Sequence, residues 1–203
     1  MRLAPSSHVR FACVALLAVA ACRGSSSSGA SPNATPVAAM PVTASSGAPA
    51  IKVSDGNVVA IIMAANNTDL SYARLAPARA RSADVRGFAQ RMLTDHTILN
   101  ARVKDVAAQA RITPEDIPFS LDMRDHSLER RDILRELSGA AFDSVYMANE
   151  VEYHRDLLAT IDNVLTGSVR AEALREFVTN LRPAVSAHLA HAEQVRAALV
   201  TRR

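Results

Sequence analysis

"QRMLTDHTILNARV", residues 90–103, decides how this chain is read. Met92, Leu99 and Val103 recur at helical spacing and form one apolar stripe, and His96 falls in that stripe where a core residue would stand. The segment therefore predicts an amphipathic helix with an imidazole on its inward face. Val85, Phe88 and Ala89 extend the stripe upstream and Val106 extends it downstream. Ser82 or Asp84 can cap the start, and "RITPEDIPF" brings Pro114 and Pro118 as breakers after the end.

The same period holds on either side. In "SDGNVVAIIMAANNTDLSYARLAPARA", residues 54–80, apolar positions 58, 61, 62, 65, 72, 73 and 76 follow Ser54 or Asp55 as cap, and Pro77 marks the end. A shorter helix is predicted in "LDMRDHSLERRDILREL", residues 121–137. Ser138 can cap the next one, which runs through residues 140–165 to a break at Gly167. The last helix spans about 171–200, with Pro183 inside it and a kink expected there. Strand-like alternation is absent. The fold class is all-α: an antiparallel bundle of four long amphipathic helices with one additional shorter helix.

Residues 1–53 have a different character. Arg2 and Arg10 precede "FACVALLAVAA", an apolar run of eleven residues, too short for a membrane-spanning helix and suited to an export signal. The run ends in "VAAC", residues 19–22, which resembles a bacterial lipobox. That resemblance implies cleavage after residue 21, lipidation of Cys22 and anchorage to a membrane by buried acyl chains. Arg23, rather than Asp, follows the cysteine and favours the outer membrane. Residues 23–50 are Ser, Ala, Pro and Gly with almost no charge, a composition that reads as a tether. The organisation is thus a signal peptide over 1–21, a lipidated tether over 22–53 and a helical bundle over 54–200. Cys13 and Cys22 are the only cysteines, so the bundle has no disulfide and rests on its core.

The net charge of +3 falls to +1 once Arg2 and Arg10 leave with the signal. Neither that charge nor the few aromatics offer the basic stripes and stacking platforms of a nucleic-acid binder. No phosphate loop, nucleophile elbow or other catalytic motif is present, and the reading is non-catalytic. The expected partners are a membrane, through the lipid, and a protein of the envelope.

The polar residues inside the stripes carry the chemistry. Asp69 stands among Val58, Ile62, Ala65, Tyr72 and Ala76 in the first helix. Glu150 and His154 interrupt the stripe of Met147, Leu157, Ile161 and Val164, and His188 interrupts that of the last helix. At 1.5 Å per residue, Asp69 and His96 lie roughly 18 and 21 Å from their shared turn, nearly level, whereas His154 and His188 differ by roughly 9 Å. Imidazoles and carboxylates converging from several helices are ligands for a divalent transition metal, and three His with an acid suit Zn, Cu, Ni or Fe. The alternative is a structural or interaction module in which His–Asp and His–Glu pairs satisfy one another and only specify the fold. Asp69, His96, Glu150, His154 and His188 are the candidate ligands. His191 and the Asp125-His126 pair are assigned to the rim and surface. Tyr72, Tyr146 and Tyr153 are assigned mainly to space filling.

"GFAQRMLTDHTILN", "LSGAAFDSVYM" followed by "EYH", and "LRPAVSAHLAHA" together resemble the ferritin-like domain of unknown function 4142 family, over roughly residues 54–199. The resemblance implies a ferritin-like helical bundle in a bacterial envelope protein, with His96, His154 and His188 on the family's histidines. It brings no established activity. Di-iron bundles carry Glu-x-x-His on two helices. Here Leu93, Val151 and Val185 stand three residues before the histidines, so the di-iron pattern is missing.

Overall fold

The structure is a computed structural model that describes residues 53–201. The signal, Cys22 and the tether up to residue 52 lie outside the described residues. Six α-helices follow in order: α1 (Asp55–Ala73), the single turn α2 (Ala76–Arg79), α3 (Ala83–Gln109), α4 (Pro118–Glu136), α5 (Gly139–Thr160) and α6 (Glu172–Thr201). A π-helical turn, Ile161–Leu165, continues α5. Among the described residues there is no strand and only one isolated bridge, between Ala80 and Gly139. No described helix is long and apolar enough to cross a membrane.

Two apolar clusters fill the bundle, one toward each end. The first gathers Val58, Ile61, Ile62, Val103, Leu157, Ile161, Leu174, Phe177 and Leu181. The second gathers Tyr72, Phe88, Met92, Leu134, Phe142, Tyr146, Met147, Ala192 and Val195. The order in which each helix meets the two clusters gives its direction. Helices α1 and α6 run from the first cluster to the second, and α3 and α5 run back. Helix α4 begins with Phe119 and Met123 at the first cluster and reaches the second with Leu134. The chain therefore runs up and down five times, and α1 packs on both α3 and α4 while α6 packs on both α5 and α3.

The sequence reading treats α1 as amphipathic, and the structure shows otherwise. Fourteen of its nineteen residues are buried, on every face. Helix α4 covers the side that a four-helix bundle would leave open, so α1 becomes a central helix and needs apolar or small residues all round.

Local chemistry fixes the ends. Ser54 caps α1 in a reciprocal box with Asn57, its Oγ accepting the Asn57 N–H at 3.1 Å and Asn57 Oδ1 accepting the Ser54 N–H at 3.0 Å. Asp55 turns outward and its carboxylate accepts the N–H groups of Arg170 and Ala171, at 2.8 and 2.9 Å, just before α6. Gly56 lets the 113–115 strand of loop pass closely: a Cβ there would stand 2.5 Å from the Thr113 carbonyl oxygen. Ser82 and Ser138 hold N-cap positions without side-chain capping bonds. The carboxylate of Asp143 instead accepts the N–H groups of Arg81 and Ser82. Pro77 and Pro118, read as terminators, open helices: each sits in a first turn, where its missing N–H costs nothing. Just beyond α3 and its C-cap Ala110, Arg111 adopts the left-handed region at φ 55°. Helix α6 continues through Pro183, whose side is exposed.

Candidate metal centre

Between the two apolar clusters lies a polar layer. Each of the four helices α1, α3, α5 and α6 contributes to it: Asp69 in the last turns of α1, His96, Glu150 with His154, and His188. Asp69, Glu150 and His154 are inaccessible, His96 is 2% exposed and His188 is 8% exposed. All five candidate residues are thus brought together. The roughly 9 Å offset expected between His154 and His188 is absent, since their ring centroids are 5.5 Å apart. The connector Thr166–Ala171, held at its end by Asp55, lets α6 start beyond the end of α5 and restores the level.

The hydrogen bonds of the rings fix where their lone pairs point. His154 Nδ1 lies 2.9 Å from the Glu150 main-chain oxygen. A carbonyl only accepts, so Nδ1 carries the proton and Nε2 presents a lone pair inward. His188 Nε2 lies 2.9 Å from Asp95 Oδ2, which leaves Nδ1 as the inward lone pair. His96 Nδ1 lies 3.0 Å from Asn66 Oδ1, and as donor to that oxygen it leaves Nε2 inward. Donor nitrogens of the three rings stand within 4.8 Å of one another, and so do donor atoms of Asp69, Glu150 and His154. Asp69 Oδ2 is 3.0 Å from His96 Nε2 and 3.4 Å from His154 Nε2. None of the inward atoms has an aligned hydrogen bond: His96 Nε2, His154 Nε2, His188 Nδ1 and both oxygens of Asp69 and of Glu150 are buried without one. Lone pairs facing lone pairs at such distances repel unless a proton or a metal cation lies among them. Donors around zinc at 2.0–2.1 Å stand about 3.3 Å apart, close to the separations of Asp69 Oδ2 from His96 Nε2 and from His154 Nε2.

Electrostatics follow from the crowding. Burial pushes the Asp69 carboxyl up, but His96 and then His154 and His188 outweigh it and bring it below the usual range. Glu150 is held well above its ordinary value by burial and by the neighbouring Asp69. Burial lowers His154 and His188. Burial also acts downward on His96, yet the Asp69 carboxylate outweighs it and raises the ring.

Neither Asp95, which helical periodicity sets apart from His96, nor Asn66 is among the candidates from sequence, yet each anchors a ring of this layer. Asp95 is about 100° around α3 from His96. Because α3 packs on α1 with one face and on α6 with another, that rotation aims Asp95 at His188 while His96 faces Asp69. The Asp95-His96 dipeptide was the available signal. Asn66, one turn before Asp69, shares its face and carried the same kind of hint. The other assignments are clearer. His191 packs edge-on against Phe88 at 5.1 Å, away from the layer. His126 is on the surface. The Tyr153 hydroxyl donates to the Ala65 carbonyl at 2.8 Å. Tyr146 stacks on Phe142 and sets its hydroxyl beside Glu150 without an aligned bond.

The model of one family, Domain of unknown function (DUF4142), matches residues 40–195. The chain belongs to the DUF4142 family. No curated protein and no solved structure matches it. Membership in DUF4142, a domain of unknown function, assigns no activity to the chain.

Proposed function

We propose that this protein binds one divalent transition-metal ion per chain, through His96, His154, His188, Asp69 and Glu150, and carries it as a lipid-anchored component of the bacterial envelope. The observation that carries the metal reading is the set of buried, inward-facing nitrogen and oxygen atoms that lack aligned hydrogen bonds. An unsatisfied buried donor or acceptor costs about 1–3 kcal/mol, so leaving this many without a ligand would be a heavy load on a small domain. Charge favours one ion: once a cation displaces the Glu150 proton, three neutral imidazoles and two carboxylates carry −2, which a single divalent cation balances, and two would leave excess positive charge buried. The donor set is nitrogen and oxygen without sulfur, suited to Zn, Cu(II), Ni or Fe. Enclosure on nearly every side favours holding an ion over turning over a bulky substrate.

The test is direct. Protein prepared without chelator is analysed for metal, then stripped and titrated with Zn, Cu, Fe and Ni while its thermal unfolding is followed. One equivalent should raise the melting temperature, and His96→Ala should abolish the rise. If no metal shifts the parent, the reading fails. The paired substitution Asp69→Leu with His96→Leu separates the alternative of a purely structural network. Well-packed apolar replacements of a buried pair are often neutral or stabilising, by roughly 1–4 kcal/mol. The double variant should therefore fold and lose the metal response, whereas an unchanged response would discard the proposed ligands. The anchor is supported by residues 11–22 of the sequence. Cys22→Ala should release the protein from the membrane fraction, and retention there would refute lipidation.

A further inference from the structure

The polar layer is sealed except at one edge. His188 is the candidate ligand with the most exposure, 8% against 2% or less for the others, and it lies on the seam where α6 packs on α3. Its outer nitrogen is also held differently. His96 and His154 are anchored by neutral acceptors inside the bundle, the Asn66 side chain and the Glu150 carbonyl. His188 is anchored by the carboxylate of Asp95, whose side chain is 30% exposed. The same Oδ2 accepts from Arg91 Nε at 2.7 Å, and Arg91 stands in solvent. A chain of Arg91, Asp95 and His188 thus connects the surface to the inward lone pair on His188 Nδ1, which is buried without a partner.

We infer that Asp95 is a positioning residue of the metal centre and that the Asp95–His188 pair is the port through which the ion enters and leaves. The inference rests on the metal reading above. By accepting the Nε2 proton, Asp95 selects the tautomer whose Nδ1 lone pair faces Asp69 and His96, and it fixes the ring plane. When that bond opens, His188 can swing outward along the seam without disturbing the four deeper groups. The other four groups lie deeper, at 2% exposure or less. Asp95 itself stays outside the ligand set, since both of its described partners are cations or N–H donors on the solvent side.

Co(II) alone is the probe, because its visible bands report the number and geometry of its ligands. In the full chain, affinity is read by competition with a chelator, and release by the decay of the bands after excess EDTA. Loss of a carboxylate that orients a metal-bound imidazole typically weakens binding roughly 10–100-fold. Asp95→Ala should show a loss of that size, altered bands and faster release, with the metal-free melting temperature close to the parent's. Asp95→Glu should recover most of the affinity and the parent bands, which a merely structural role would not require. If Asp95→Ala fails to fold, Asp95→Asn, which keeps the shape and removes the charge, takes its place in the comparison. Parent-like affinity and bands in the charge-removed variant overturn the positioning role, and an unchanged release rate overturns the port. A parent that takes up no Co(II) overturns both this inference and the metal reading, whereas a parent that binds Co(II) regardless of Asp95 overturns this inference alone.

Discussion

His154 illustrates how one buried side chain sets both chemistry and stability. Its Nδ1 proton goes to the carbonyl of the residue one turn earlier, so the inward nitrogen must be bare or bind something. Burial depresses its pKa, while an unfolded histidine titrates near 6.5. Below pH 6.5 the unfolded chain therefore takes up more protons at this position than the folded one. The stability contributed by a neutral His154 is complete above pH 6.5 and is lost as the pH falls toward the folded value. Denaturant unfolding of the metal-free protein from pH 5 to 7.5 should show the gap between parent and His154→Gln widening with pH and levelling off above 6.5. A gap that widens toward acid would reverse the assignment. Sequence made this residue legible, because an imidazole interrupting an apolar stripe needs no structure to be noticed. Asp95 was harder. Its role depends on which neighbour lies 100° around α3, and periodicity gives a direction only relative to the helix itself.

Helix ends show the opposite balance. Stripe positions locate α1, α3, α5 and α6 well, and Ser82 and Ser138 take the N-cap positions expected of them, though without the side-chain bond, while Pro77 and Pro118 open the next helices. A proline breaks a helix only from within. At the first turn it fits, and sequence alone does not say which side of the boundary it is on. The N–H groups leading into α3, those of Arg81 and Ser82, are held by Asp143, some sixty positions away, a contact that no local pattern contains. Two substitutions test these ends. Arg111 holds a left-handed conformation just beyond α3, which costs a non-glycine residue roughly 1–2 kcal/mol. Arg111→Gly should therefore raise the unfolding free energy, by about 1 kcal/mol once the extra freedom of glycine in the unfolded chain is counted. Gly56→Ala should do the reverse, lowering it by about 1–3 kcal/mol, because the new methyl meets a backbone oxygen that cannot rotate away. Chemical denaturation of both variants is sufficient, and a stabilised Gly56→Ala would show that the α1–loop approach is looser than described.

At the scale of the molecule, the five main helices are legible, whereas the break that separates α2 from α1 and the arrangement of the helices are less so. Counting stripes yields four long helices and a short one. That α4 closes over α1, and so makes α1 buried all round, emerges only when the five crossings are laid against the two clusters. The polar layer between those clusters has a further consequence. Asp69 and His188 lie at opposite ends of the domain's sequence, and the described residues contain no cysteine. An ion gripped by four helices would be the only staple across that span, and unlike a disulfide it would be reversible. Such a staple acts by mass action: free metal at a hundred times its dissociation constant adds about 2.7 kcal/mol. The lifetime of the domain among proteases would then follow the supply of metal around it. A scarce ion would remove the protein, and a plentiful one would preserve it.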